Sequence, residues 1–98
     1  MTYIFEIEDK SGRKIHLSKE RWLHISNEHP ELADYLEEIK DTIREPSKIA
    51  TYDLDEKVKY YYTYHKNRKS PAKFLLVVVK YLNGEGFIII AYFVRYIK

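Results

Sequence analysis

Pro46 divides the chain into two textures, and that change constrains the fold more than any other feature of the sequence. Before it, Leu32, Tyr35, Leu36, Ile39 and Ile43 recur at three- and four-residue steps, while Glu31, Asp34, Glu37, Glu38 and Asp41 fill the opposite side. That spacing predicts an amphipathic helix that opens at Pro30 and closes before Pro46. After it, Lys48 to Tyr52, Val58 to His65, Lys73 to Leu82 and Phe87 to Ile97 are rich in Val, Ile, Tyr and Phe, as strands are. Asn83-Gly84-Glu85-Gly86 is a hairpin turn signal and Asn67 to Pro71 a longer basic turn, so these four segments read as an antiparallel meander.

The first residues add two smaller elements. Tyr3 to Glu8 alternates aromatic or aliphatic residues with acids, Ser11-Gly12 marks a turn, and Lys14 to Leu17 reads as a second short strand. Ser18 is placed to cap a short helix over Lys19 to Ile25, which must end before Pro30. The expected fold is therefore α+β, one domain over residues 1–98. It has an N-terminal hairpin and two helices packed on one side of a four-stranded antiparallel meander. Ninety-eight residues, 45% of them hydrophobic, suffice for one packed core.

Composition narrows the function classes. The absence of cysteine removes disulfides, thiolate metal sites and a cysteine nucleophile, and it fits a reducing cytoplasm. Met1 to Asp9 carries three acids and no basic segment, unlike a signal peptide, and the longest apolar run, Phe87 to Val94, has eight residues. The expectation is a cytoplasmic protein with no membrane partner. Net charge is only +2, yet residues 1–56 hold eight Lys/Arg against fourteen Asp/Glu, while residues 57–98 hold nine against Glu85 alone. A basic half of this kind suits a polyanion such as RNA; two solvated, mutually attracting halves explain it as well.

The residues able to do chemistry cluster in Arg21-Trp22-Leu23-His24-Ile25-Ser26-Asn27-Glu28-His29-Pro30. Histidine transfers protons near neutral pH, and arginine offers phosphate a planar fork of donors. Cleaving a phosphodiester without metal needs both abilities. The plainer alternatives are that Trp22 and His24 belong to the core and that His29 caps the second helix. The two histidines stand five apart, off the i, i+4 spacing of a helical metal pair, and no cysteine can complete a zinc set. No metal or other cofactor is expected.

Two further stretches suit RNA binding. Along Tyr60-Tyr61-Tyr62-Thr63-Tyr64-His65, alternation sends Tyr60, Tyr62 and Tyr64 to one face and Tyr61, Thr63 and His65 to the other, beside Lys66, Arg68 and Lys69. Tyr62 and Tyr64 could stack bases while the cations hold phosphates, or one tyrosine set could simply be core. In the last strand Tyr92 and Arg95 are polar exceptions among apolar neighbours, and Lys80 should lie at the opposite end of that hairpin from Arg95.

The stretch from Arg21 to Pro30 with Glu31-Leu32 after it, Glu45-Pro46, Ile49, Leu76 to Tyr81 and Gly86-Phe87-Ile88-Ile89 together resemble one family. It is the phage- and toxin-associated barnase/EndoU/colicin/RelE-like small nucleases, the PBECR superfamily, and the resemblance runs from about residue 15 to 96. It implies helices on a curved four-stranded sheet and metal-independent RNA cleavage, with His24, His29 and Arg21 as the catalytic residues. Lys66, Arg68, Lys69, Tyr62, Tyr64, Tyr92 and Arg95 complete the expected RNA-binding set. One departure stands out: Ile90 occupies a place where such proteins typically carry threonine, ahead of Ala91-Tyr92. The reading is an endoribonuclease, the toxin of a toxin–antitoxin pair (with an antitoxin protein as partner) or a mobile-element nuclease. The alternative is a non-catalytic RNA- or protein-binding domain on the same fold.

Overall fold

A computed structural model describes residues 3–98. Strands β1 (Tyr3–Glu8) and β2 (Lys14–Ser18) lead into helix α1 (Lys19–Glu28), a 3-10 helix (Pro30–Asp34) and helix α2 (Leu36–Arg44). Strands β3 (Lys48–Tyr52), β4 (Asp55–Tyr64), β5 (Phe74–Leu82) and β6 (Glu85–Val94) follow. Ser18 caps α1 as its sequence position predicts, its hydroxyl accepting from the Arg21 N–H at 3.1 Å.

The sheet has six strands rather than the expected four, in the order β1-β2-β6-β5-β4-β3. The C-terminal meander forms as read, but the N-terminal hairpin extends it through parallel pairing of β2 with β6, at Ile15↔Gly86 and His16↔Phe87. Gly86 makes the junction possible. A Cβ there would stand 2.8 Å from Val79 Cγ1 and closer still to Ile15 Cδ1, so only glycine lets the two strands approach. Beyond these pairs the chain leaves β2 for α1, so the C-terminal half of β6 has β5 on one side and no strand on the other.

Three further expectations change in detail. The single helix predicted from Pro30 is broken at Tyr35, whose φ of −112° and ψ of 21° lie outside the α region. The break lets Leu32 seat in the core while Tyr35 turns its ring edge-on to Phe93. The last hairpin turns on two residues, not four: Asn83 and Gly84 have φ of 55° and 80°, as a type I′ turn requires, and Glu85 pairs with Leu82. β4 begins at Asp55, joined to β3 across Asp53 and Leu54.

Both faces of the sheet are apolar, but only one is covered by helices. Ile25, Leu32, Ile39 and Ile43 from the helical half are fully buried against Ile15, Leu17, Tyr61, Leu75, Val77 and Val79. Trp22 and Leu36 pack at the margin of this core, only partly buried. On the far face Tyr62, Leu76 and Val78 form a second cluster with Tyr60, Ile90, Tyr92, Val94 and Ile97. A bulge in β6 sets which residues reach it. Val78 pairs with Ile90 but Val79 with Ile88, leaving Ile89 without a partner. The extra residue reverses the alternation, so Gly86, Ile88, Ala91 and Phe93 face the helices while Ile90, Tyr92 and Val94 share the open face.

Candidate functional site

The open face ends in a cavity of about 200 Å³ lined by Tyr60, Tyr62, Tyr92, Arg95, Tyr96 and Lys98, among others. β4, β5 and β6 supply its floor, and the segment after β6 folds back over it: the Lys98 N–H donates to Tyr62 Oη at 3.4 Å. Tyr62 is consequently only 1% exposed, a buried floor residue without a ring face to offer a base. Burial, with the neighbouring phenols of Tyr52, Tyr92 and Tyr62, pushes the Tyr60 hydroxyl above its ordinary range, so it stays protonated.

His29 reaches this face from the helical layer. It follows α1, donating its backbone N–H to Ile25 O at 2.8 Å, and its side chain makes no capping hydrogen bond to the 3-10 helix. Instead its ring lies parallel to Tyr92, centroids 5.3 Å apart and planes 13° apart. The capping role considered for it is not the one it fills. Neither ring nitrogen hydrogen-bonds to a described residue, and neither is buried, so both can exchange protons with a ligand.

Arg21 and His24 occupy a different place. They line a polar depression of about 360 Å³ with Ser18 and Glu20 on the outer surface of α1. The His24 side chain is 50% exposed, with Nε2 3.5 Å from Glu28 Oε1, so it is not a core histidine. On a helix, residues five apart are turned by about 140° and displaced by about 7.5 Å. His24 and His29 accordingly point to separate surroundings.

The basic turn forms a third depression, of about 420 Å³, lined by Tyr35, Glu38, Tyr64, His65, Lys66 and Arg68. Tyr64 is 53% exposed and presents its ring at the rim. Arg68 is committed to the fold: its guanidinium stacks over Phe93 at 3.6 Å and donates to Ala72 O at 2.6 Å. Lys66 and Lys69 are exposed. Lys80 pairs with Asp55 at 3.5 Å and lies at the other end of the β5–β6 hairpin from Arg95, as expected.

Sequence reading passed over two histidines. His16, 4% exposed, is sandwiched between the rings of Tyr3 and Phe87, with Nε2 2.7 Å from Glu85 Oε1. Glu6 Oε2 lies 3.0 Å from its Nδ1, close enough for an ion pair but without hydrogen-bond geometry. His65 sits on the helix-side face with Thr63, and the Thr63-x-His65 alternation was its only sequence signal. Among the described residues no three His, Asp or Glu side chains converge as a metal set would, and no helix is long and apolar enough to cross a membrane.

Helices on one face of a mostly antiparallel sheet, with a histidine brought to the edge of the opposite face, make this a small α+β protein. The chain belongs to the PBECR2 family, the phage-Barnase-EndoU-ColicinE5/D-RelE like nuclease2, whose family model matches residues 5–97. No curated protein and no solved structure matches it. Membership in a nuclease-like family points to nucleic acid as the substrate class.

Proposed function

We infer that this protein is a metal-independent endoribonuclease whose centre is the open face around His29 and Tyr92. The observation that carries this reading is the His29–Tyr92 stack, which holds an imidazole against a residue that also lines the open-face cavity with Arg95 and Lys98. In the reaction a ribose 2′-oxygen bonds to the adjacent phosphorus as the bond to the 5′-oxygen breaks. The 2′-hydroxyl proton leaves to a base, and a proton reaches the departing 5′-oxygen. His29 carries protons in this scheme, and Arg95 and Lys98 offset the phosphate charge as it grows. Tyr92 fixes the imidazole plane. Arg21 and His24 contribute from the adjacent depression, holding the strand rather than the reacting phosphate. In the cell this is the toxin of a toxin–antitoxin pair or a mobile-element nuclease, acting in the cytoplasm and restrained by an antitoxin.

One observation favours a second reading, a non-catalytic RNA- or protein-binding domain. Ile90 shares the open face with Tyr92 and belongs to its apolar cluster, where the family resemblance leads one to expect a hydroxyl. The experiment that decides is cleavage of single-stranded RNA in excess EDTA, with 2′,3′-cyclic phosphate ends as the expected product. His29→Ala should lower the rate by about 10²–10⁴, the loss typical of a proton-transfer group. His24→Ala and Arg21→Ala should raise KM with smaller losses in kcat. Ile90→Thr should speed the reaction. Inert wild-type and Ile90→Thr proteins on varied RNAs would establish the binding domain instead.

A further inference from the structure

A buried hydroxyl chain fixes the chemical character of His65. Thr42, fully buried on α2, donates to the Glu38 carbonyl at 2.7 Å, which uses its one hydroxyl proton. Its contact with Thr63 at 2.7 Å must therefore be donated by Thr63. Thr63 then has no proton left for His65, so in their 3.1 Å contact Nε2 of the imidazole is the donor. The tautomer with the proton on Nε2 follows, and Nδ1 is a bare acceptor. That atom makes no hydrogen bond among the described residues and is not buried. Burial lowers the pKa of His65, Glu38 raising it in part and Arg68 lowering it further, so the ring is neutral near pH 7.

The surroundings restrict what can meet Nδ1. Tyr35 and Phe93 pack against the imidazole in T-shaped geometry, at 6.5 and 5.7 Å, which crowds the space around the ring. The loop beyond is held in shape. The His65 N–H donates to Lys73 O, the Arg68 N–H to His65 O, and Lys73 Nζ to Arg68 O. Lys66, which lines the depression, and Lys69, three residues on, are exposed on that loop, and neither ammonium group makes a hydrogen bond or ion pair among the described residues. An acceptor without a proton, next to a loop that carries two exposed cations, fits a group that is a hydrogen-bond donor attached to a phosphate chain.

We propose that His65 Nδ1 accepts a hydrogen bond from a ribose 2′-hydroxyl of a strand whose phosphates rest on Lys66 and Lys69, a subsite that separates RNA from DNA. The 2′-hydroxyl is the group that differs between the two polymers. This rests on the nucleic-acid reading above but not on His29, which stacks on Tyr92, on the opposite face of the sheet from Phe93 and His65.

The test is binding of a fluorescent single-stranded 12-mer in RNA, DNA and 2′-O-methyl forms of one sequence. His29→Ala serves as the parent so that RNA survives the measurement. The parent should prefer RNA over both others. His65→Phe, which keeps the packing and loses the acceptor, should weaken RNA binding about fivefold, the contribution of one neutral hydrogen bond, and leave DNA unchanged. His65→Gln, whose amide can donate to Thr63 and accept at its carbonyl, should retain part of the preference and covers the case in which His65→Phe misfolds. An RNA-to-DNA ratio unchanged in both variants overturns the subsite while leaving the nuclease reading intact. So does loss of cleavage by His65→Phe, in the background with native His29, with binding unchanged, since His65 would then be the base. A parent that binds none of the three oligonucleotides removes the nucleic-acid reading and the subsite with it.

Discussion

The ring of His29 lies 13° from parallel with that of Tyr92, at 5.3 Å between centroids, although one follows a helix and the other sits on the open side of a strand. The contact is possible because β2 pairs only with the start of β6, leaving the C-terminal half of β6 without a strand on the side away from β5, where the turn after α1 can reach around its edge. If Tyr92 orients the imidazole, Tyr92→Phe should keep cleavage within about threefold of wild type. Tyr92→Leu should lower kcat by about ten- to a hundredfold, because small misplacements of a proton carrier are costly. Equal losses in both variants would instead point to the hydroxyl, and equal retention would deny the stack a role.

Asp9 anchors the turn between β1 and β2 from a buried position. Its carboxylate accepts from the Ser11 N–H at 2.8 Å, Ser11 Oγ at 2.6 Å, the Arg13 N–H at 3.0 Å and Tyr81 Oη at 2.9 Å. Tyr81 has then spent its proton, so Tyr61 donates to Tyr81 in their short contact. Burial alone would raise the Asp9 pKa, but the hydrogen bonds together outweigh it and hold the group below its ordinary value. A carboxylate with a lowered folded pKa stabilises above its unfolded value of about 3.9 and loses that contribution as pH falls through the folded value. Asp9→Asn should cost about 1–3 kcal/mol near neutral pH. In urea titrations, the gap from wild type should narrow below about pH 4.

Gly86 should be the least replaceable residue of the last hairpin. Gly86→Ala forces a methyl group into Ile15, Val79 and Tyr81 and should destabilise by about 1–3 kcal/mol. Ile15→Val removes the Cδ1 in the way, so it should cost less in the Gly86→Ala background than in wild type. Additive denaturation energies in that double-mutant cycle would mean the two residues do not touch.

Salt titration of RNA binding should separate the cations that meet phosphate from those that brace the loop. Replacing Lys66 and Lys69 together by Ala should shrink the slope of log K against log salt by about 1.4, roughly 0.7 for each lost contact to a single strand. Arg68→Ala should lower the melting temperature instead, since it strips a guanidinium from Phe93 and Ala72. An unchanged slope in the double variant would make that loop a solvated surface only.

What the sequence determined by itself is the part set by local geometry. The helical spacing before Pro46, the strand composition after it, the Ser18 cap and the presence of a hairpin turn at Asn83-Gly84, though not its two-residue length, depend on residues within a few positions of each other. The separation of Tyr60 and Tyr62 from Tyr61, Thr63 and His65 needs only the two-residue period of a strand. Tertiary structure decided the rest. The six-stranded sheet exists because Ile15 seats against Gly86, a contact between residues about seventy apart whose value appears only once both strands are formed. The bulge at Ile89 reverses the alternation of β6 and so chooses the face that Tyr92 and Ile90 present, which no reading of apolar residues on both sides of that strand could fix. The two histidines of residues 21–32 look equivalent in sequence. Helix rotation and the uncovered edge of β6 leave His24 in solvent beside Glu28 and carry His29 onto Tyr92.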